Sequence, residues 1–185
     1  MQCAARFFVI TGGPGSGKTT LIEALAAAGF AHTVEAGRAV IQEQLASGGD
    51  TLPWRNPAAF AEQMLERDIR SYETAEAQPG PVIFDRGIPD VIGYLRLSGL
   101  QVPAQMMKAA ETFRYHRRVF IAPPWREIYV QDAERKQDFD EARRTYDAMV
   151  RIYTELGYEL VELPRVSVEE RVRSVVDKIA VSKTP

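Results

Sequence analysis

Cysteine is nearly absent from this 185-residue sequence. Cys3 stands alone, so no internal disulfide can form, and a reducing cytoplasm is the compartment expected. Histidine is almost as scarce. His32 and His116 have no Cys or His partner at ligand spacing, which argues against a structural metal site. No apolar run approaches a membrane span, and the FFVI stretch near the N-terminus runs at once into glycines instead of forming a signal-peptide core. No membrane association is expected. A strong charge bias is missing too. The formal net charge is −2 with the basic residues scattered, so no nucleic-acid partner is expected. Repeats and low-complexity tracts are lacking. What remains is 45% hydrophobic and 26% charged residues, the balance of a soluble globular chain, and the length suggests one domain over 1–185.

Against these absences stands one dense signal. Residues 12–19 read Gly-Gly-Pro-Gly-Ser-Gly-Lys-Thr, a full match to G-x-x-x-x-G-K-[ST]. The apolar run Arg6–Thr11 precedes it as a buried strand would. Thr20–Ala28 follows as a helix closing at Gly29. Strand, glycine loop and helix together form a triphosphate cradle. Gly13, Pro14, Gly15 and Ser16 form the turn, backbone N–H groups of the loop through Gly17 and the helix dipole face the phosphates, and Thr20 lies in the first helical turn. Lys18 is expected to reach the β- and γ-phosphates and Thr19 to offer its hydroxyl to Mg²⁺.

The rest of the chain reads as further α/β units. Phe30–Val34 is a short strand ending at Glu35, and Arg38–Leu45 has helical spacing. Asn56-Pro57 caps a long amphipathic helix over Ala58–Ala77, with Phe60, Met64, Leu65, Ile69 and Tyr72 on its apolar face. Val82–Phe84 is a strand stopped by Asp85. Helices are expected over Asp90–Leu97 and Val102–Tyr115, and a fourth strand over Arg118–Ala122. Asp138-Phe139-Asp140-Glu141 opens a helix to about Leu156. Tyr158–Leu163 is a fifth strand, and Ser167–Glu170 caps a terminal helix. Five strands alternating with helices predict a three-layer α/β/α fold around a parallel five-stranded sheet. Ligands of such sheets bind beyond the carboxyl ends of the strands.

That rule selects the candidate site. Asp85 directly follows an apolar strand, where a carboxylate can join Thr19 in holding Mg²⁺. Arg86 is placed near the transferred phosphate or the acceptor. Glu35 can accept a hydrogen bond, and a proton, from an acceptor hydroxyl; the competing reading is a helix-start Glu favoured by the dipole. Arg38, one turn on, can share in substrate anchoring. Asp90 reads as a helix-start residue. The charged stretch 125–137, with Arg126, Arg135 and Lys136, is placed as a lid, Arg135 being the favoured lid charge. Leu163-Pro164-Arg165-Val166 is a candidate border for an adenine base.

Four stretches carry a family resemblance: FFVITGGPGSGKTTLIEAL, VEAGRAVIQEQ, VIFDRGIPDVIGYLRLSG and RKQDFDEARRTYDAMVRIYTELGYELVELP. In order and extent they resemble the P-loop kinase-like ATPases described as small AAA-domain proteins, near the nucleoside and ribosylnicotinamide kinases. In the kinases that it resembles, a strand-end carboxylate such as Glu35 contacts the acceptor hydroxyl. An Asp-Arg pair such as Asp85-Arg86 serves phosphates and metal. The resemblance implies ATP and Mg²⁺ as cofactors and a small phosphate acceptor as partner. Two other classes fit the sequence less well. A GTPase switch needs N-K-x-D, but the sole asparagine, Asn56, is followed by proline. A ring-forming ATPase motor needs a helical subdomain for which this chain is short.

Overall fold

The computed structural model describes residues 4–129 and 138–181. Cys3 and the expected lid residues Arg135 and Lys136 lie outside them. Five strands form one all-parallel sheet: β1 (Phe7–Gly12), β2 (Ala31–His32), β3 (Val82–Asp85), β4 (Arg118–Ala122) and β5 (Glu159–Glu162), in the order β2-β3-β1-β4-β5. Among the described residues seven α-helices connect and cover them: α1 (Lys18–Ala27), α2 (Ala36–Ser47), α3 (Pro57–Glu76), α4 (Ile88–Leu97), α5 (Ala104–Thr112), α6 (Phe139–Glu155) and α7 (Val168–Val181).

β1 is central and buried along its whole length, as a strand covered on both faces must be. Its side chains alternate between two cores. Phe7 and Val9 join Val82, Phe84, Val119 and Ile121 under α3, α4, α5 and α6. Phe8 and Ile10 join Ile83, Phe120 and Ala122 under α1 and α7. The strand period of two thus feeds both faces of the sheet. A smaller cluster, with Val40, Ile41, Leu52 and Phe60, seats α2 against α3.

The caps read from the sequence form as expected. Asn56 accepts the Ala59 N–H at 3.2 Å, and Asp138 accepts the Glu141 N–H at 2.7 Å. Ser167 and Glu170 exchange bonds. α2 and α4 each begin two residues earlier than expected, and three elements are shorter than expected. The strand expected over Phe30–Val34 is only Ala31–His32. Its edge leaves the sheet early, Thr33 Oγ1 accepts the Asp85 N–H, and Val34 is exposed. The helix expected over Val102–Tyr115 covers only Ala104–Thr112, because the chain peels away so that His116 N–H reaches Phe7 O and Tyr115 packs into the aromatic core. The fifth strand is Glu159–Glu162, shorter by a residue at each end than Tyr158–Leu163.

Candidate active site

The glycine loop joins β1 to α1 at the carboxyl edge of the sheet. Its geometry demands small residues. A Cβ on Gly13 would stand 2.3 Å from the Ala142 carbonyl oxygen at the start of α6, too close for any side chain. Gly17 caps α1 in the left-handed region at φ 78°, where a β-carbon is strained. Ser16 Oγ donates to Gly13 O at 2.8 Å, and Lys18 Nζ donates to the same oxygen at 2.6 Å. Lys18 is buried, whereas Thr19 and Thr20 are exposed in the first turn of α1. The side chains of Tyr129 and Ile128 lie over Gly15 and Gly17, so the segment after β4 returns onto the loop. Within that segment Arg126 stacks over the Phe139 ring, its guanidinium carbon 4.3 Å from the centroid.

A buried charge cluster stands beside the loop. Asp85 ends β3, paired in register with Ile10. Its Oδ1 is buried with no hydrogen-bond partner among the described residues. Burial first, then Glu35, pushes the Asp85 carboxyl up to about 6, against the opposing pull of Lys18 and Arg86. Arg86 follows in the left-handed region at φ 68°, uncommon for a side-chain-bearing residue, with its N–H on Ile10 O. That turn aims its guanidinium between two carboxylates. Nε donates to Glu35 Oε1 at 3.2 Å, and Nη1 donates to Asp90 Oδ1 at 3.0 Å. Burial opposes the Arg86 charge, but Glu35, Asp90 and Asp85 together outweigh it and hold its pKa above the usual value.

Glu35 is the N-cap residue of α2, yet its side chain makes no capping bond. It turns to Arg86 instead, and its other oxygen lies 3.8 Å from Arg38 Nε. Glu35 thus stands at the helix start, as the dipole reading has it, with its side chain in an ion-pair network, and Arg38 stands beside it as expected. Asp90 is a helix-start residue and more than that. Its carboxylate accepts Thr11 Oγ1 at 2.5 Å, Gly87 N–H at 3.1 Å and Tyr153 Oη at 2.6 Å, as well as Arg86. It fixes Arg86 and joins β1, α4 and α6.

Glu35, Arg86 and Asp90 face a cavity of about 530 Å³ that Pro14 of the glycine loop also lines. Its walls come from α2, α3, α4 and α6 and are mostly apolar, with Ile41, Phe60, Met64, Tyr94 and Met149. Asp68 and Thr145 add polar atoms. Such a volume suits a small organic ligand.

Two buried charged residues escaped the sequence reading. Asp68 lies on the inward face of α3, and Arg171 lies on that of α7 in line with Val175 and Ile179. Arg171 donates through Nη1 to Ser16 O at 3.0 Å and through Nε to Pro164 O at 2.9 Å, with Trp125 under its guanidinium. It ties the 163–166 loop to the glycine loop; Arg165 binds Pro124 O in the same place. The available signal was a charge recurring at the helical period of an apolar stripe. Among the described residues no helix is long and apolar enough to cross a membrane.

A parallel sheet in this order, with the glycine loop after its central strand, defines the P-loop nucleoside-triphosphate-binding class. Residues 7–171 match the AAA domain family, and the chain belongs to it. Comparison with curated protein sequences finds no match. Among solved structures the chain is similar to deoxyadenosine kinase from M. mycoides with dCMP and dCDP bound, at a TM-score of 0.67 and 12% identity, over 95% of this chain and 99% of that one. It is similar to NadR in complex with NR at a TM-score of 0.67 and 17% identity, over 96% of this chain and half of that one (50%). It is similar to thymidylate kinase from Ehrlichia chaffeensis at a TM-score of 0.61 and 18% identity, over 96% and 99%. At these identities the likeness is one of fold.

Proposed function

We propose that this chain is an ATP- and Mg²⁺-dependent phosphotransferase whose acceptor is a small metabolite. The observation that supports it best is the continuity of the 530 Å³ cavity with the glycine loop. Pro14 of the loop and Glu35 and Arg86 of the charge cluster line one space. A nucleotide switch needs the loop and has no use for a ligand-sized cavity beside it.

In this reading the loop residues Gly13, Pro14, Gly15, Ser16, Gly17, Lys18, Thr19 and Thr20 bind the triphosphate. Lys18 moves from Gly13 O to the phosphates. The acceptor enters the cavity with its hydroxyl at Glu35, positioned by Arg38 and Arg86. The bond from the γ-phosphorus to its bridging oxygen breaks as a bond to the acceptor oxygen forms. The displaced charge leaves on ADP, and the hydroxyl proton passes to Glu35. Arg86 offsets charge on the migrating group, and we assign the same part to Arg135 of the expected lid segment. The residues suit a magnesium ion: Asp85 presents an unpartnered buried oxygen, and Thr19 exposes a hydroxyl on α1. The ion supplies neutralisation of phosphate charge. The absence of N-K-x-D favours ATP over GTP, which thermal shifts with the two nucleotides would compare. The reading also takes the chain as one domain that works in the cytoplasm.

The test is incubation with ATP and Mg²⁺ against a panel of nucleosides and other small alcohols, with ADP and the phosphorylated acceptor both measured. Acceptor-dependent ADP release with a matching product is expected. Slow hydrolysis unaffected by every acceptor would overturn the proposal in favour of a regulatory ATPase module.

A further inference from the structure

The inward face of α7 runs Arg171, Val175 and Ile179 at helical spacing. The two apolar residues belong to the core under α1 and α7. Arg171 is only 2% exposed, and its Nη1 lies beside the place that a Cβ on Gly17 would take. Its hydrogen bonds go to two carbonyls, Ser16 O and Pro164 O. Nη2 is buried with no partner, and among the described residues no carboxylate pairs with the guanidinium. A clamp between two loops needs only donors, which a neutral amide supplies. The charge is unfavourable on two counts. Burial alone pulls the Arg171 pKa below its ordinary value. The residue also stands in the first turn of α7, where the helix dipole disfavours a cation. Two carbonyl oxygens and the Trp125 ring offset this only in part.

The charge makes sense toward the glycine loop. The peptide whose carbonyl accepts Nη1 carries its N–H on Gly17, at the N-terminus of α1. A guanidinium on that oxygen polarises the peptide and makes the N–H a stronger donor to an anion. The surroundings of the loop are otherwise unequal. Glu35 and Asp90 line the cavity on the sheet face covered by α3, α4 and α6, and Arg86 is bonded to both. Asp85 ends the neighbouring strand. A triphosphate entering the loop is repelled from that side. Arg171 supplies a fixed positive charge from the face of α1 and α7.

We propose that Arg171 is a positioning residue for the donor phosphates: its charge, relayed through the Ser16–Gly17 peptide, tightens the hold of the glycine loop on a polyphosphate in proportion to the charge that the polyphosphate carries. This rests on the reading of the loop as a triphosphate site. It adds to that site a residue 155 positions further along the chain, outside the glycine motif.

Calorimetric titration with ATP, ADP and AMP tests it, without Mg²⁺ so that no ion offsets the ligand charge. Arg171→Gln removes the charge and keeps a donor. ATP is expected to bind about tenfold more weakly and ADP about threefold, with AMP changed least. Arg171→Lys keeps the charge but loses the fork that reaches both carbonyls, and it is expected to hold ATP within about threefold of the parent. The Lys variant decides the matter alone if Arg171→Gln does not fold. An equal loss for ATP and ADP, or a Lys variant that loses tenfold or more, would make Arg171 a clamp and overturn the proposal. A parent that binds AMP as tightly as ATP, or binds neither, would overturn it together with the triphosphate reading of the loop. Product formation, measured separately, keeps this apart from the phosphotransferase reading. Graded ATP binding with no phosphorylated acceptor spares Arg171 and sinks the phosphotransferase. A phosphorylated product made by Arg171→Gln with the ATP dependence of the parent does the reverse.

Discussion

The donor and acceptor halves of the proposed site are built in opposite ways. The donor half is backbone: a loop from one continuous stretch, shaped by glycines whose neighbours leave no room for a Cβ. The acceptor half is side chain: a chamber whose walls come from four helices spread from Ala36 to Met149. A backbone cradle recognises what every nucleoside triphosphate shares, and it tolerates little local change. A side-chain chamber can be re-specified by a few substitutions without disturbing the cradle. The halves meet at Pro14 and the Glu35–Arg86–Asp90 cluster.

The sharpest way to break the comparison is to remove the piece both halves share. Arg86→Ala leaves Asp90 buried without its cation and Glu35 with Arg38 beside it. Removing one member of such a buried network costs about 3–5 kcal/mol of stability. Urea unfolding is the measurement. A loss under about 1 kcal/mol would mean the carboxylates are solvated or protonated and the cluster is no linchpin. Lys18→Ala comes next and separates the halves. Phosphoryl transfer is expected to fall about 100- to 1000-fold, the scale of losing one preorganised charge on the reacting group. Acceptor binding measured by calorimetry should be unchanged. If acceptor binding falls in step, the halves are not independent.

The same contrast explains what was legible in the sequence. The glycine loop with its flanking strand and helix could be read almost in full, because these residues are contiguous and carry a glycine spacing that few other structures need. The alternation of short apolar runs with capped helices gave the sheet, its parallel sense and most boundaries. Where boundaries slipped, at Val34 and at Phe113–Tyr115, tertiary contacts overrode local pattern: a Thr33 side chain replaced a backbone bond, and Tyr115 was drawn into the core. Glu35, Asp85 and Arg86 were found through the strand-end rule. Their mutual bonds were not, because residues 51 apart meet only once the sheet has formed. Asp68 was hidden for another reason. One acidic residue in an apolar stripe resembles a surface position until the stripe is traced residue by residue.

A smaller effect tests whether the hub at Asp90 is scaffold or site. Tyr153→Phe removes the 2.6 Å bond to Asp90 Oδ2 from a fully buried hydroxyl. A hydrogen bond to a charged group contributes about 2 kcal/mol. Unfolding should show that loss, with acceptor affinity nearly intact because Gly87 and Thr11 still hold the carboxylate. A large fall in affinity with little loss of stability would move Asp90 from the scaffold into the acceptor site.

The smallest expected effect has the opposite sign. Asp68→Leu replaces a buried carboxyl by a side chain suited to its surroundings, so the folded state should gain about 1 kcal/mol at neutral pH. The pH dependence identifies the cause. With its folded pKa raised, Asp68 keeps its proton in the folded chain while the unfolded chain ionises above about 4. The unfolded state therefore binds fewer protons in that window, and the wild-type chain loses stability as pH rises through it. Below that window both states are protonated and this contribution vanishes. The groups facing Asp68, namely Asp90, Arg86, Glu35 and Asp85, remain in both proteins, so the difference between the two unfolding curves isolates the substituted carboxyl. A gain that grows from pH 3 to pH 7, together with weaker acceptor binding, marks a residue kept at a cost in stability for what it recognises. A gain that is flat with pH would trace the effect to packing alone. A loss at every pH would show that Asp68 holds the acceptor half together, and the two halves would then differ less in construction than their geometry suggests.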